Sequence, residues 1–159
     1  MRLTEEQAAA LQQRLRAPAA AARARRPRPS GPLEHAECLL FIDWTRLVRF
    51  DGEPLFDRVV KIPNERGAAG PAVARLVAIG LRPGFPDYQI LAPVGEYHGL
   101  FLEAKRLNGS VADEQMQWRD RLLRWGYCAS IVEAASGLIG ATRHYFAASG
   151  ERFQDPTSY

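Results

Sequence analysis

Three ionisable residues occupy positions from which they could share one chemical site. Asp87 opens a predicted strand, and Glu103 and Lys105 lie two residues apart on the next predicted strand. Side chains two positions apart in a strand project to the same face of the sheet, so we expect Glu103 and Lys105 to point together towards Asp87. Two carboxylates beside an ammonium group suit a divalent metal ion and a hydrolytic water.

Such a site fits the metal-assisted hydrolysis of a phosphodiester. Mg²⁺ takes oxygen ligands and is commonly held by one or two carboxylates, while water and substrate phosphate complete its shell. Asp87 and Glu103 are the predicted ligands of Mg²⁺ or Mn²⁺, and the backbone carbonyl of Ala104 is a further candidate. The metal would activate a water and neutralise charge on the phosphate, and Lys105 would orient that water or stabilise the transition state.

Three more polar residues are candidates for the same site. Gln115 lies on the apolar stripe of the helix that follows Lys105, where an unpaired buried amide would cost about 1–3 kcal/mol. We therefore expect Gln115 to have a partner at the site. Glu34 and Glu37 open the first helix of the domain, where either carboxylate would assist the metal site or simply complement the helix dipole.

An ordinary structural role is the alternative for each part of this set. Glu-x-Lys on an exposed strand is common as a solvated ion pair, and Pro-Asp is a frequent turn dipeptide. Their occurrence together, in this order and in predicted strands, favours the hydrolytic site.

The elements that would hold these residues alternate between helices and strands. Apolar residues at helical spacing predict helices, and β-branched runs predict strands. The predicted helices cover residues 33–48, 69–81, 110–125 and 134–146, and the predicted strands cover residues 58–62, 87–92, 98–106 and 127–133. This order implies an α/β fold with a mixed sheet flanked by helices.

Apolar stripes identify the faces with which the helices are expected to pack. The stripe of the first domain helix comprises Leu33, Leu40, Trp44 and Leu47, and that of the third comprises Val111, Gln115, Trp118, Leu122 and Trp125. Ser110 with Asp113 marks the start of the third helix. Trp118, Trp125 and Tyr145 would either fill the core or line a dimer interface.

Glycine and turn residues predict the remaining local structure. Gly137 and Gly140 would let the last helix approach the sheet closely. Residues 51–57 are predicted to form a polar loop, and residues 147–159 have no clear period and are expected to fray.

Composition indicates one domain with a basic extension. The chain has 159 residues, of which 47% are hydrophobic, enough for one ordinary domain at residues 33–147 and a tail at residues 148–159. Residues 1–33 contain seven Arg and two Glu, whereas the remaining chain carries 14 basic and 16 acidic residues. Residues 1–32 are predicted to form a short helix and an Arg/Pro/Ala-rich linker, which would approach a polyanion or serve as a solubilising tail.

Location and redox state follow from what the sequence lacks. It contains no run of about 20 apolar residues, which a membrane span needs, and Glu5 and Glu6 interrupt what a signal peptide would require. A cytoplasmic protein is therefore expected. The two cysteines, Cys38 and Cys128, lack the spacing of a zinc site and are expected to be buried, reduced thiols.

Several motifs together carry a resemblance to a known family. They are IPNERG at residues 62–67, AIGL at residues 78–81, GFPDY at residues 84–88, GLFLEAKR at residues 99–106, and Glu114-Gln115. Over residues 34–146 this pattern resembles the VRR-NUC family, the virus-type replication-repair nucleases of the PD-(D/E)xK superfamily. The resemblance implies a restriction-endonuclease-like fold and metal-dependent cleavage of branched or flapped DNA.

The same resemblance assigns roles to the central residues. Asp87 and Glu103 match the metal-binding carboxylates of the family, and Lys105 matches its catalytic lysine. Gln115 matches the glutamine on the helix that follows.

Further matches to the family lie in the first half of the domain. Glu34 is the best match to the family's glutamate on the first helix. Cys38 stands where relatives often have Gln, which weakens the comparison for that helix. Asn64 and Glu65 match the Pro-Asn motif, and their implied role is site shaping or phosphate contact.

The implied partner is DNA, contacted mainly through phosphates, so binding would depend on salt. The predicted contact residues are Arg66, Arg82, Arg106, Arg119 and the N-terminal arginines. The compact form resembles phage and bacterial members that act as homodimers on four-way junctions, which implies a homodimer in a bacterial or phage-infected cell. The alternatives are an inactive DNA-binding or assembly module on the same fold and a hydrolase of small phosphoesters, although the sequence has no nucleotide-cradling loop.

Overall fold

The described chain comprises two ranges. The structure is a computed structural model that describes residues 32–63 and 71–157, with side chains described from residue 35 and from residue 73 onwards in the two ranges. The predicted helix and linker of the N-terminal extension lie outside the described residues. So do Asn64, Glu65, Arg66 and the side chain of Glu34, whose predicted roles stay predictions.

The described chain contains both helices and strands, in mixed order. The α-helices are α1 (Pro32–Leu47), α2 (Pro71–Ala78), α3 (Asp113–Arg124) and α4 (Ala134–Phe146). The strands are β1 (Arg49–Phe50), β2 (Glu53–Pro54), β3 (Val59–Lys61), β4 (Tyr88–Ile90), β5 (Leu100–Lys105), β6 (Cys128–Glu133) and β7 (Phe153–Gln154). Two 3₁₀ segments cover Leu55–Arg58 and Ala147–Arg152. Within the described ranges, no helix has both the length and the apolar character needed to cross a bilayer.

Four strands form the main sheet, in the order β3-β4-β5-β6. β4 runs antiparallel to both β3 and β5, whereas β6 runs parallel to β5. Parallel neighbours need a crossover connection, and α3 provides it between β5 and β6. The predicted α/β architecture, a mixed sheet flanked by helices, is confirmed.

The two faces of β5 bury different neighbours. Its even-numbered residues belong to the main core, together with apolar residues of α1 and α4. On the opposite face, Phe101 packs with Leu122 of α3 in a smaller apolar cluster. Because side chains alternate along a strand, Glu103 and Lys105 continue the Phe101 face along α3.

The face that α1 buries differs from the predicted stripe. Leu40 and Leu47 are 59% and 57% exposed, whereas Trp44 of the predicted stripe is buried, as are Phe41 and Val48, the residue after the helix. The helix has apolar residues on several sides, so more than one set of positions has helical spacing. The buried set is the one whose aromatic rings fit against the sheet, and Phe41 contacts Tyr88 of β4 edge to face.

The C-terminal residues are ordered by a second sheet, so the expectation that residues 147–159 fray is wrong for the described part. β1, β2 and β7 form a three-stranded sheet in the order β2-β1-β7. Phe153 of β7 stacks on Phe146 with ring centroids 4.7 Å apart, and Arg152 donates two hydrogen bonds to Asp51 at 2.7 and 2.9 Å. Residues 51–57, predicted as a loop, contain β2 and part of a 3₁₀ segment.

The two glycines of α4 have different surroundings. A Cβ at Gly137 would lie 3.1 Å from the Cβ of Val132 in β6, whereas a Cβ at Gly140 would meet nothing within 4 Å. Close packing on the sheet is therefore confirmed for Gly137 and wrong for Gly140. Tyr145, on the same helix, belongs to the core, and its hydroxyl donates to the carbonyl of Ala92 at 2.6 Å.

The two cysteines are free thiols at the edge of the core. Cys38 and Cys128 are both half-buried rather than fully buried, and both pack against the main core. Burial raises the pKa of the Cys128 thiol, which keeps it protonated and unreactive near neutral pH.

Candidate active site

Asp87 lies directly beside the central strand of the main sheet. The register of β4 and β5 pairs Tyr88 with Leu102, so Asp87 stands opposite Glu103, where side chains share a face. Asp87 is only 6% exposed, and its Oδ2 accepts a hydrogen bond from the backbone amide of Ala104 at 3.0 Å. The predicted juxtaposition of the two carboxylates is therefore present.

Glu103, Lys105 and Gln115 form one hydrogen-bonded cluster. The Nζ of Lys105 lies 3.5 Å from the Oε1 of Glu103 and donates to the Oε1 of Gln115. The amide of Gln115 in turn donates to the Oε1 of Glu103. Glu103 and Gln115 are 2% and 7% exposed, so the partner predicted for the buried glutamine is found.

Gln115 also caps the helix that carries it. The backbone amide of Ala112 donates to the Oε1 of Gln115 at 3.0 Å, and Ala112 is the N-cap residue of α3. The predicted signature at Ser110 was therefore two residues early, because the Gln115 side chain satisfies the first amide. One amide group thus fixes the helix start and holds the cluster.

A close approach of the backbone fixes the segment before Asp87. Gly84 has φ +75°, and a Cβ there would lie 2.8 Å from the Cβ of Glu114, so only glycine fits both the conformation and the space. The indole of Trp118 donates to the carbonyl of Pro83 at 3.0 Å. These contacts hold the Asp87 segment against the start of α3.

Lys61 joins the site from β3 and was not predicted. Its Nζ lies 3.1 Å from the Oδ1 of Asp87 and 4.4 Å from the ring centroid of Tyr88. Burial raises the pKa of Tyr88, so the ring stays neutral beneath the ammonium group. The sequence shows a lysine in the predicted strand at residues 58–62. Its position beside Asp87, however, depends on the β3–β4 register, which the sequence does not show.

The other predicted contact residues with described side chains are three arginines. Arg82 and Arg106 are exposed, and Arg106 directly follows Lys105. Arg119 is engaged elsewhere, since its Nη2 lies 2.8 Å from the Oδ1 of the adjacent Asp120.

Glu37 has a structural contact. Its Oε2 accepts a hydrogen bond from the backbone amide of Ala135 at 2.6 Å. This bond ties α1 to the first turn of α4, which lies on the other face of the sheet from α3.

The donor set fits a hard divalent cation rather than a closed zinc site. Among the residues with described side chains, no three His, Cys, Asp or Glu are grouped to hold a metal. Two buried carboxylates, Asp87 and Glu103, are nevertheless what Mg²⁺ or Mn²⁺ needs when water and phosphate supply the remaining oxygens. The amide of Ala104 is used by Asp87, and the metal-ligand role of its carbonyl stays a prediction.

Comparison with solved structures supports the fold. No family model matches the chain, and no curated protein matches it. A solved structure described as "VRR_NUC domain protein" superposes with a TM-score of 0.66 and 27% identity, covering 74% of this chain and 91% of that one.

The fold and this match define the class of protein. The chain contains a nuclease-type domain with an α/β fold of the restriction-endonuclease-like kind. The match confirms the resemblance to the VRR-NUC family that the motifs indicated.

Proposed function

We propose that the protein is a Mg²⁺- or Mn²⁺-dependent endonuclease that cleaves branched DNA, including four-way junctions. One observation carries the proposal: Glu103, Lys105 and Gln115 form one nearly buried cluster, and the buried Asp87 lies opposite Glu103 in the β4–β5 register. Burying ionisable groups is costly unless they are paired. An arrangement of this kind is more readily explained by chemistry than by stability.

Asp87 and Glu103 would hold the metal in this proposal. When bound, the metal would activate a water and neutralise charge on the scissile phosphate. Hydrolysis joins the water oxygen to phosphorus and breaks the phosphorus–oxygen bond of the leaving group. The water gives up its proton, and the leaving oxygen gains one.

The side chains of the cluster have distinct tasks. The Ala104 amide fixes one oxygen of Asp87, which sets the direction of the other. The Lys105 ammonium orients the attacking water or stabilises negative charge in the transition state. Gln115 positions Lys105 and Glu103 relative to each other through its two hydrogen bonds.

DNA would be held mainly by its phosphates. Arg82 and Arg106 are exposed, and we expect binding to weaken as salt rises. Arg66 and the arginines of residues 1–32 are further predicted contacts. A homodimer, with one site for each strand, would suit the two-fold arrangement of a four-way junction.

The test is a cleavage panel of four-way junction, flap, splayed arm and linear duplex, each with Mg²⁺, Mn²⁺ or EDTA. We expect metal-dependent cleavage of branched substrates and little cleavage of duplex. Asp87→Asn and Lys105→Ala should abolish cleavage but retain binding, whereas Asp43→Asn, an exposed carboxylate of α1, should behave as wild type.

Three outcomes would contradict parts of the proposal. Retained cleavage in both site variants would refute the assigned chemistry. Junction binding without cleavage under any metal condition would favour the inactive binding module. A monomer in light scattering, with and without junction DNA, would refute the homodimer.

A further inference from the structure

The end of α3 presents an exposed tryptophan that the cluster does not use. Trp125 is 56% exposed and is the C-cap residue of α3. Trp118 precedes it by two helical turns, and the two ring centroids are 6.3 Å apart at an interplanar angle of 71°. The two indoles therefore lie on one side of the helix.

The aromatic row continues towards the candidate active site. The rings of Trp118 and Phe85 are 4.9 Å apart, and Phe85 precedes Asp87 by two residues. Trp118 is anchored by its hydrogen bond to the Pro83 carbonyl. A row of three rings thus leads from the exposed end of α3 to the segment that carries Asp87.

Positive charge accompanies this row. Arg82, Arg121 and Arg124 are exposed, and the Cζ of Arg121 lies 5.2 Å from the ring centroid of Trp118. None of these three arginines takes part in an ion pair between described residues. We call the six residues the tryptophan strip; they are Phe85, Trp118, Trp125, Arg82, Arg121 and Arg124.

We propose that the tryptophan strip binds unpaired DNA next to the scissile phosphate, with a base stacked on Trp125. Aromatic side chains beside a basic groove are the usual platform for single-stranded nucleic acid. In a duplex the faces of a base are covered by its neighbours, so duplex would gain only the phosphate contacts of the arginines. This proposal rests on the proposed function and supplies a physical basis for preferring branched DNA with unpaired strands, such as flaps and splayed arms, over duplex.

The positive charge of the tryptophan strip favours DNA over a second copy of this chain as its binding partner. Two copies meeting at this face would bring Arg121 and Arg124 near their own equivalents, and like charges repel across an interface. A phosphate backbone is attracted by the same side chains.

The test compares binding of three labelled DNAs in EDTA, by fluorescence anisotropy: oligothymidylate, a splayed arm and a blunt duplex. We expect Trp125→Ala to weaken binding of the first two by about tenfold and to leave the duplex unchanged. Trp125→Phe should restore part of the loss. Leu123→Ala, which removes another exposed side chain of the same helix, should match wild type.

Tryptophan fluorescence gives a second readout. The third tryptophan, Trp44, is 6% exposed, so quenching by oligothymidylate would report on Trp118 and Trp125. We expect quenching in wild type and much less in Trp125→Ala.

Three results would overturn the proposal. Equal loss for all three DNAs, or no loss for any, would show that Trp125 does not stack an unpaired base. A dimer that dissociates in Trp125→Ala would identify a second copy as the occupant. Because binding is measured without metal, these results would refute only this inference, whereas the absence of metal-dependent cleavage in the wild-type protein would refute the nuclease activity.

Discussion

The interface between β5 and α3 has two halves of opposite character. In one half Phe101 packs on Leu122 in an apolar cluster. In the other half, two helical turns away, Glu103 and Lys105 meet Gln115 through hydrogen bonds and an ion pair. The same strand face and the same helix face build both halves.

The difference shows which half the fold requires. Apolar burial stabilises a domain directly, whereas a buried ion pair roughly balances its desolvation cost and is often replaceable by apolar residues. Stability therefore explains the apolar half, but the polar half needs another reason. Substitutions in each half should separate the two effects.

The largest effect is expected for the polar half and concerns activity. Glu103→Gln keeps the shape of the side chain but removes its charge, so we expect junction cleavage to fall by about 1,000-fold in single-turnover assays. The melting temperature should also fall, because Lys105 loses the buried charge that pairs with it, so cleavage is compared per folded molecule. Normal cleavage by this variant would contradict the role of Glu103, and Glu53→Gln, an exposed carboxylate, is the control.

The apolar half should show the reverse pattern. Leu122→Ala leaves a cavity beside Phe101 and is expected to cost about 3 kcal/mol in the free energy of unfolding, measured by urea denaturation. Cleavage per folded molecule should be nearly unchanged at low temperature. A variant that is fully stable would show that Leu122 contributes little to this half.

Gln115 should show both effects at moderate size. Gln115→Leu removes the partner of Glu103 and Lys105 and the cap of Ala112, so we expect a loss of about 2 kcal/mol and slower cleavage. Calorimetry and single-turnover rates would measure the two losses. Gln117→Leu, on the exposed side of α3, should change neither; a stabilised Gln115→Leu would contradict the network.

Asp155 is a carboxylate outside both halves of this interface, and we expect it to make the stability of the protein depend on pH. Burial would raise the pKa of Asp155, but hydrogen bonds from Arg143 and Thr157 outweigh it and lower the pKa below 3.8. Its stabilising effect is therefore present above about pH 4 and lost as the pH falls through the lower, folded-state pKa.

Asp155→Asn tests this sign directly. We expect wild type to lose stability more steeply than Asp155→Asn between about pH 4 and pH 2, as measured by thermal unfolding. Parallel curves for the two proteins would show that Asp155 is not the group responsible.

The smallest effect is expected for Lys61. Its side chain is 49% exposed, and ion pairs with that much solvent are worth at most about 1 kcal/mol. Lys61→Met should therefore unfold at nearly the wild-type temperature in EDTA. A loss as large as that of Leu122→Ala would mean that Lys61 supports the fold.

The sequence predicted those parts of the site that depend on spacing within one element. Glu103 and Lys105 share a face because they are two residues apart, and the polar Gln115 stood out on an apolar stripe. Lys61 could not be found in this way, because its place beside Asp87 comes from the pairing of two separate strands. Register is a tertiary property, and a short strand carries little information about it.

The fold was likewise predictable where a pattern lies within one element. Apolar residues at helical spacing predicted the four helices, and β-branched runs predicted the strands of the main sheet. The second sheet was missed because β1, β2 and β7 have two residues each, too few for any period. The buried face of α1 was missed because apolar residues surround that helix, and only contact with the sheet selects among them.

The docking of β7 bears on how the protein can be trimmed for crystallography or for fusion to other domains. Ending the chain at residue 147 would strip the Phe146 ring of its stacked neighbour Phe153 and the Trp44 indole of its acceptor, the Thr157 hydroxyl. Such a shortened chain would expose apolar surface and tend to aggregate. A cut placed beyond Thr157 keeps these contacts.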